Sequence, residues 1–256
     1  MATTARWTEA ETKRALFLYF QLPFGQLHRK NSEIIALAAS LSRTPSSVAM
    51  KLANFASLDP KIVESGRKGL AGASALDRQV WNEFNADWTK LIVESASHES
   101  GGGLDDSKVR DAQVSFRYEP PEGATTVRTE IERRVGQTFF RRAVLANFEN
   151  TCAVTGIEEP RLLVASHISP WKDDAFNRHN PRNGLCLSAT FDLAFDKLLL
   201  TVLPDFTIRL SSQLTKGATS DTRAYFGPYE GRKLRTPTHL TPDPAFLTAH
   251  NERFLP

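Results

Sequence analysis

Residues 162–171 read Leu-Leu-Val-Ala-Ser-His-Ile-Ser-Pro-Trp, and this stretch decides how the C-terminal half of the chain is expected to fold. Its apolar beginning, residues 162–165, is typical of a buried strand that delivers His167 at its end. After a polar loop, Asn183-Gly184 predicts a tight turn into a second short strand, residues 185–187. Together these signals predict a hairpin that carries the histidine.

A helix is expected to begin near Ser188, directly after the second strand. It holds Asp192 and Asp196, which are four residues apart and therefore lie on one face of a helix. Two carboxylates on one face can reach the same cation. The hairpin and this helix thus place a histidine, an asparagine and two aspartates in one short segment.

The three motifs Ala-Ser-His-Ile-x-Pro-Trp, Asn-Gly-Leu-Cys-Leu and Phe-Asp-x-x-Phe-Asp occur in this order and resemble those of the HNH (ββα-metal) endonuclease superfamily. The resemblance covers about residues 151–202 and is strongest to a restriction-type branch whose third motif ends in Phe-Asp. It implies a C-terminal ββα-metal HNH nuclease domain. Joined to the N-terminal all-α, helix-turn-helix-like domain that residues 1–95 predict, this gives α+β as the expected fold class. The activity that the resemblance implies is metal-dependent cleavage of DNA phosphodiester bonds.

The same resemblance implies roles for individual residues. His167 stands at the position of the family's general base, and Asn183 at that of an orienting asparagine; both are expected to be catalytic. Asp192 stands where the family often has a metal-binding histidine, and Asp196 matches the aspartate of Phe-Asp, so both are expected to bind metal. Mg²⁺ or Mn²⁺ is the expected cation, because hard carboxylate oxygens suit hard cations.

Two positions depart from the family's pattern. Directly before the base, where many members have Asp or His as a metal ligand, this chain has Ser166, a poor ligand. The third motif has Asp192 in place of a histidine. These departures keep a second interpretation open, in which the chain is a DNA-binding regulatory protein with an inactive HNH remnant.

The polar loop between the two predicted strands carries basic side chains over the expected site. Those expected to contact DNA are Arg178, His179 and Arg182. They would bind phosphate groups; the alternative is that they are simply exposed.

Residues 1–95 are expected to form an α-helical recognition domain. Thr8 and Glu11 have the pattern of a capping box at the start of a first helix, and a second helix is expected from Ser32. Thr44-Pro45 predicts the start of a third helix over about residues 45–55. Two helices joined by a short turn are typical of a helix-turn-helix, and the pattern also resembles a Myb/SANT three-helix unit. One further helix, capped at Ser74, is expected within residues 70–95.

The third helix and the turn before it supply the residues expected to contact DNA in this domain. They are Arg43, Ser46, Ser47, Lys51 and Asn54. Three-helix folds also bind proteins, so a protein-interaction or dimerisation role for residues 1–95 stays open.

Residues 96–112 are rich in glycine, serine and charged side chains and predict a flexible linker. The nuclease domain is expected to follow over residues 113–256, with a helix at 127–147 before the core motif at 151–202. A linker of this kind would raise the effective concentration of the nuclease near a bound DNA site.

The composition is compatible with a DNA partner. The chain has 256 residues, a formal net charge of +3 and two cysteines, too few for a Cys-only zinc site. It shows no signal-peptide pattern and no apolar run of bilayer length, so a cytoplasmic protein without a membrane partner or an organic cofactor is expected. The resemblance implies a restriction or defence nuclease, with dependence on DNA modification as one form. A homodimer is expected because duplex DNA has two strands to cut.

Overall fold

The structure is a computed structural model that describes residues 6–67, 69–96 and 127–254. These residues contain helices and two small two-stranded sheets, so the expected mixed fold class is confirmed at this level. The predicted linker lies outside the described residues except for its first residue, where a helix ends. None of the helices in the described ranges combines the length and the apolar character that crossing a membrane requires.

The N-terminal region is helical, as expected. Its helices are α1 (Glu9–Tyr19), α2 (Ser32–Ser40), α3 (Pro45–Ala56), α4 (Pro60–Glu64), α5 (Ala75–Ala86) and α6 (Trp88–Ala96). The predicted capping box is present: the Thr8 hydroxyl accepts from the Glu11 amide, and the Glu11 carboxylate accepts from the Thr8 amide. Thr44 caps α3 in the same way, by accepting from the Ser47 amide.

The single helix expected within residues 70–95 is wrong, because the structure has two helices there. The cap at Ser74 is present at the start of α5, but α5 ends at Ala86. Asp87 then adopts extended backbone, with φ −152° and ψ 93°, and its carboxylate accepts from the Lys90 amide in the first turn of α6. The break is short enough that the apolar residues on both sides still enter one core.

Arg43 and Lys51 do not face outward as expected. Lys51 is 5% exposed and its ammonium lies 2.6 Å from the Asp77 carboxylate. Arg43 is 7% exposed and its guanidinium pairs with Glu11 at 2.9 Å. Both cations also lie over the ring of Trp7. Both cations are therefore paired with carboxylates inside the helical region and are not available to DNA, so the expectation that they contact DNA is corrected.

A long helix, α7 (Val127–Asn147), joins the N-terminal helices to the rest of the molecule. Val135, Phe139 and Ala143 lie in the core of the N-terminal helices. Phe140 and Val144, one residue further along, lie in the core of the C-terminal half. Residues three and four apart share one face of a helix, so α7 presents a separate apolar face to each core.

The C-terminal half contains the predicted hairpin. Strands β1 (Leu163–His167) and β2 (Gly184–Ser188) are antiparallel, and His167 pairs with Gly184 at the end of the hairpin that the connecting loop closes. The helix α8 (Ala189–Asp196) follows directly. Gly184 has no room for a side chain, since a Cβ would lie 2.4 Å from the Val144 side chain. Glycine at this position lets α7 pack closely against the strand.

A second layer covers the hairpin and α8. It consists of the strands β3 (Leu200–Val202) and β4 (Ile208–Leu210) and the helices α9 (Ser220–Phe226) and α10 (Pro244–Arg253). On α10, His250 is buried between the Thr201 hydroxyl and the Phe195 carbonyl, and its ring stacks on that of Phe195. These contacts place His250 in the core of the C-terminal half.

Removing the buried ammonium of Lys51 should destabilise the protein. Lys51→Met leaves the Asp77 carboxylate buried without its partner, and breaking a buried pair in this way costs about 3–5 kcal/mol. Chemical denaturation of the full chain measures the loss. The exposed Ser46→Ala on the same helix is the control, and equal stabilities for the two variants would contradict the buried pair.

Candidate active site

The strand β1 ends at His167, and the ring of this residue is held from three sides. Its Nε2 lies 2.9 Å from the carbonyl oxygen of Arg178. The ring stacks on Phe140, with centroids 3.8 Å apart, and meets Trp171 edge-on at 5.6 Å. A carbonyl only accepts hydrogen bonds, so Nε2 carries the hydrogen and the lone pair of the neutral ring is on Nδ1.

Burial lowers the pKa of His167 to about 4. The positive charge of Arg178 acts in the same direction, whereas the hydrogen bond to the Arg178 carbonyl opposes it. The ring is therefore neutral at physiological pH. A neutral imidazole with a defined tautomer is the form that a general base requires.

Asn183 ties together the two ends of the loop that follows His167. It is fully buried; its Oδ1 accepts from the Ser169 amide at 2.7 Å, and its Nδ2 donates to the Ser169 carbonyl at 3.1 Å. Its own carbonyl accepts from the Ile168 amide at 3.0 Å. The amide side chain thus bonds the backbone of Ser169, two residues after His167, and holds the two ends of the loop together.

Of the three basic loop residues, the structure brings Arg178 to the histidine. Its guanidinium lies over the Trp171 ring, 5.0 Å from the centroid. The Nε of Arg178 is buried, and no hydrogen-bond partner for it is found in the described part of the chain. A buried donor with this charge is suited to an anion. Arg182 lies half-buried at the end of the loop, directly before Asn183.

The position of His179 differs from the expected one. It is 7% exposed, its Nδ1 lies 3.2 Å from the Thr89 hydroxyl on α6, and its ring meets Trp171 edge-on. Burial lowers its pKa to about 4, so the ring is uncharged. A buried neutral ring is not available to bind phosphate, and the expected DNA contact of His179 is corrected.

The two aspartates of α8 lie close enough to influence each other. Burial raises the pKa of Asp192 to about 6, and the negative charge of Asp196 adds to the effect. Asp196 is exposed as a residue, yet the surrounding protein partly desolvates its carboxyl and raises its pKa as well. Mutual repulsion of this kind is relieved when a cation binds between the carboxylates.

Ser166 stands beside this pair. Its hydroxyl is buried without a hydrogen bond of ordinary geometry to any described residue, although its interaction with Asp192 lowers the pKa of that carboxyl. Two carboxylates and a hydroxyl form an all-oxygen donor set, which fits Mg²⁺ or Mn²⁺. Within residues 6–67, 69–96 and 127–254, no group of three or more His, Cys, Asp or Glu side chains is arranged to hold a metal.

The histidine and the aspartates belong to two neighbouring clusters. Consecutive side chains leave a strand on opposite faces. His167 accordingly contacts Phe140 of α7, whereas Ser166 interacts with Asp192 of α8. The end of β1 therefore connects a basic nitrogen on one side with an acidic, oxygen-rich pair on the other.

Residues 152–203 match the family model described as HNH endonuclease. The matched segment contains His167, Asn183, Asp192 and Asp196, so it supports the HNH superfamily for this domain and suggests nuclease activity. No curated protein sequence matches the chain.

Sequence reasoning missed the contacts that hold the loop in place. The interior of α7 contains Gly136, and a Cβ there would lie only 2.2 Å from Nε2 of His179. A glycine inside a predicted helix costs about 1 kcal/mol relative to alanine and often has a packing reason. That signal was present in the sequence, but its partner is 43 residues away in the chain and only the fold identifies it.

Acid should destabilise the protein between about pH 6.5 and pH 4. The pKa values of His167, His179 and His250 are lowered from 6.5 to about 4, so the unfolded chain binds more protons in this window. The free energy of unfolding then falls as the pH falls, by about 1.4 kcal/mol per pH unit for each proton. The raised pKa values of Asp192 and Asp196 act in the opposite direction, but these are two carboxyl groups against three histidines.

Chemical denaturation at pH 7 and pH 5 measures this dependence. His250→Gln should reduce the slope by about one proton, whereas His28→Gln, at an exposed position, is the control. A free energy of unfolding that stays constant over this range would show that the three histidines are not buried in their neutral form.

Proposed function

We propose that the C-terminal half of the chain is a metal-dependent endonuclease that hydrolyses DNA phosphodiester bonds, with His167 as general base. The observation that carries the proposal is the hydrogen bond from Nε2 of His167 to the Arg178 carbonyl. It fixes the tautomer with the basic lone pair on Nδ1, and burial keeps that nitrogen unprotonated at neutral pH. The HNH family match over the same residues supports the choice of reaction.

In the proposed reaction, Nδ1 of His167 removes a proton from a water molecule as its oxygen attacks the scissile phosphorus. A new P–O bond forms, the bond to the 3′-oxygen breaks, and the leaving oxygen takes up a proton from solvent. The guanidinium of Arg178 binds a non-bridging phosphate oxygen, for which its buried Nε is suited. Asn183 holds residues 168 and 169 in place and thereby orients the histidine.

Asp192 and Asp196, with the Ser166 hydroxyl beside them, would hold the divalent cation. When bound, Mg²⁺ or Mn²⁺ neutralises negative charge that builds up on the phosphate and on the leaving oxygen. Because Asp192 binds a proton with a pKa of about 6, protons compete with the cation below that pH.

The N-terminal helices are proposed to recognise the DNA target, in a restriction or defence role. The arrangement of α2 and α3 as two packed helices joined by residues 41–44 supports this assignment. With Arg43 and Lys51 buried, the outward side of α3 offers Ser46, which is exposed, and Ser47 and Asn54, which are half-buried. Short polar side chains of this kind can read base edges. Dependence on a DNA modification and a homodimeric state are part of the same proposal.

Plasmid DNA incubated with the full chain and Mg²⁺ or Mn²⁺ should be cleaved. His167→Ala should slow cleavage by about 10²–10⁴-fold, because it removes the general base. Asp192→Asn should also lower the rate, and a higher metal concentration should restore part of it. His28→Ala, at an exposed position, is the control and should cut at the wild-type rate.

Equal cleavage by His167→Ala and the wild type would overturn the proposed role of the histidine. The competing function is a DNA-binding protein with an inactive nuclease remnant, which is favoured by the lack of a third acidic or histidine ligand in the described residues. DNA binding without cleavage in Mg²⁺, Mn²⁺ or other divalent cations would establish that alternative.

A negative charge on the outward side of α3 should weaken DNA binding. In the full-length His167→Ala background, Ser46→Glu places a carboxylate near the DNA phosphates and should lower the affinity severalfold at low salt. Ala224→Glu adds the same charge on α9 and is the control. Fluorescence anisotropy measures both. Equal affinities would favour an N-terminal domain that binds protein instead of DNA.

A further inference from the structure

His179 links the N-terminal helices to the loop that holds His167. From α6, the Thr89 hydroxyl reaches Nδ1 of His179 at 3.2 Å. The other side of the ring lies against the backbone of α7 at Gly136, where a Cβ would be 2.2 Å from Nε2 and 2.6 Å from Cδ2. Thr89 itself is fixed by its neighbours on α6, since Trp88, Leu91 and Ile92 are buried in the N-terminal core.

The peptide group between Arg178 and His179 couples the position of His179 to that of the His167 ring. The carbonyl that accepts from Nε2 of His167 belongs to the peptide that joins Arg178 to His179. A peptide group is planar, so rotating or shifting His179 also moves this oxygen. Side-chain contacts follow the same route, because Trp171 meets His167 at 5.6 Å and His179 at 5.2 Å.

We propose that His179 is a positioning residue. It is held by the Thr89 hydroxyl and by contact with the α7 backbone at Gly136, where no side chain is present. Through His179, the position of α6 determines the orientation of the His167 ring. The inference rests on the proposed function of His167 as general base. It adds that the N-terminal helices take part in assembling the catalytic site and do not only recognise DNA. A change in the position of α6, such as target binding would produce, then changes the rate of the chemical step.

The structure favours this role over simple loop packing for a specific reason. His179 is buried, and its Nε2 makes no hydrogen bond with any described residue. A buried imidazole nitrogen without a partner is costly, and an apolar ring would fill the same space without that cost. The Thr89 bond is the polar contact that distinguishes histidine from such a ring at this position.

The test uses single-turnover cleavage by the full chain with four variants. Thr89→Val removes the hydroxyl and keeps the shape, and Gly136→Ala adds a methyl group where the His179 ring lies. Both should lower the single-turnover rate constant at saturating protein by roughly 10- to 100-fold with little change in the half-saturating protein concentration, because the base is misplaced while DNA binding is intact. Thr89→Ser keeps the hydroxyl and should restore the wild-type rate, as should Lys90→Gln at the next, exposed position.

A second readout does not depend on cleavage. The ring ¹⁵N and ¹H resonances of His167 should shift in Thr89→Val and Gly136→Ala but not in Thr89→Ser or Lys90→Gln. Thermal melts confirm that each variant is folded.

The possible results separate the two hypotheses. If His167→Ala is inactive while Thr89→Val and Gly136→Ala cut at the wild-type rate, the positioning role is wrong and the nuclease stands. Equal losses in Thr89→Val and Thr89→Ser also overturn the positioning role. If His167→Ala cuts as fast as wild type, the proposed function fails. If the His167 resonances are unchanged in Thr89→Val, the proposed coupling between α6 and His167 is wrong, independently of any cleavage result.

Discussion

The packing of α7 between two cores is the constraint on which the rest of the structure depends. Phe139 on one face is buried among the N-terminal helices, and Phe140 on the next face is buried against the hairpin. The same helix supplies the surface on which the His167 ring stacks and the glycine against which the His179 ring lies. The N-terminal helices and the candidate active site are therefore positioned by one element, and a shift of α7 would affect both.

Burial shifts the pKa values of the groups on the two sides of β1 in opposite directions. It lowers the pKa of His167, which keeps the imidazole in its basic form at neutral pH. It raises the pKa of Asp192, because the negative charge of the buried carboxylate is not balanced by a positive charge until a cation binds. Burial thus favours a neutral imidazole at His167 and a site for positive charge at Asp192 of α8, which interacts with the neighbouring β1 residue Ser166.

Local signals in the sequence were sufficient for most of the helices and for the hairpin. The cap at Thr8 and the proline after Thr44 each specify the start of a helix, and the apolar run that begins at residue 162 specifies the first strand. The tight turn expected at Asn183-Gly184 is wrong, because Asn183 ends a 3₁₀ turn and Gly184, with φ −134°, is already the first residue of β2. Side-chain direction was harder to predict where the partner is distant in sequence. Lys51 was expected outside because Asp77, 26 residues away, could not be identified as its partner. The burial of His179 likewise depends on Thr89, 90 residues earlier in the chain.

Chemical rescue of the missing imidazole tests the central claim most directly. In His167→Gly, added imidazole should enter the space left by the ring and restore part of the DNA cleavage rate, with a dependence on the pH that follows the neutral form of imidazole. Asn183→Ala and Asp192→Asn should gain nothing from imidazole, because they retain the base. No rescue of His167→Gly, or equal stimulation of all three variants, would contradict the assignment of His167 as the general base.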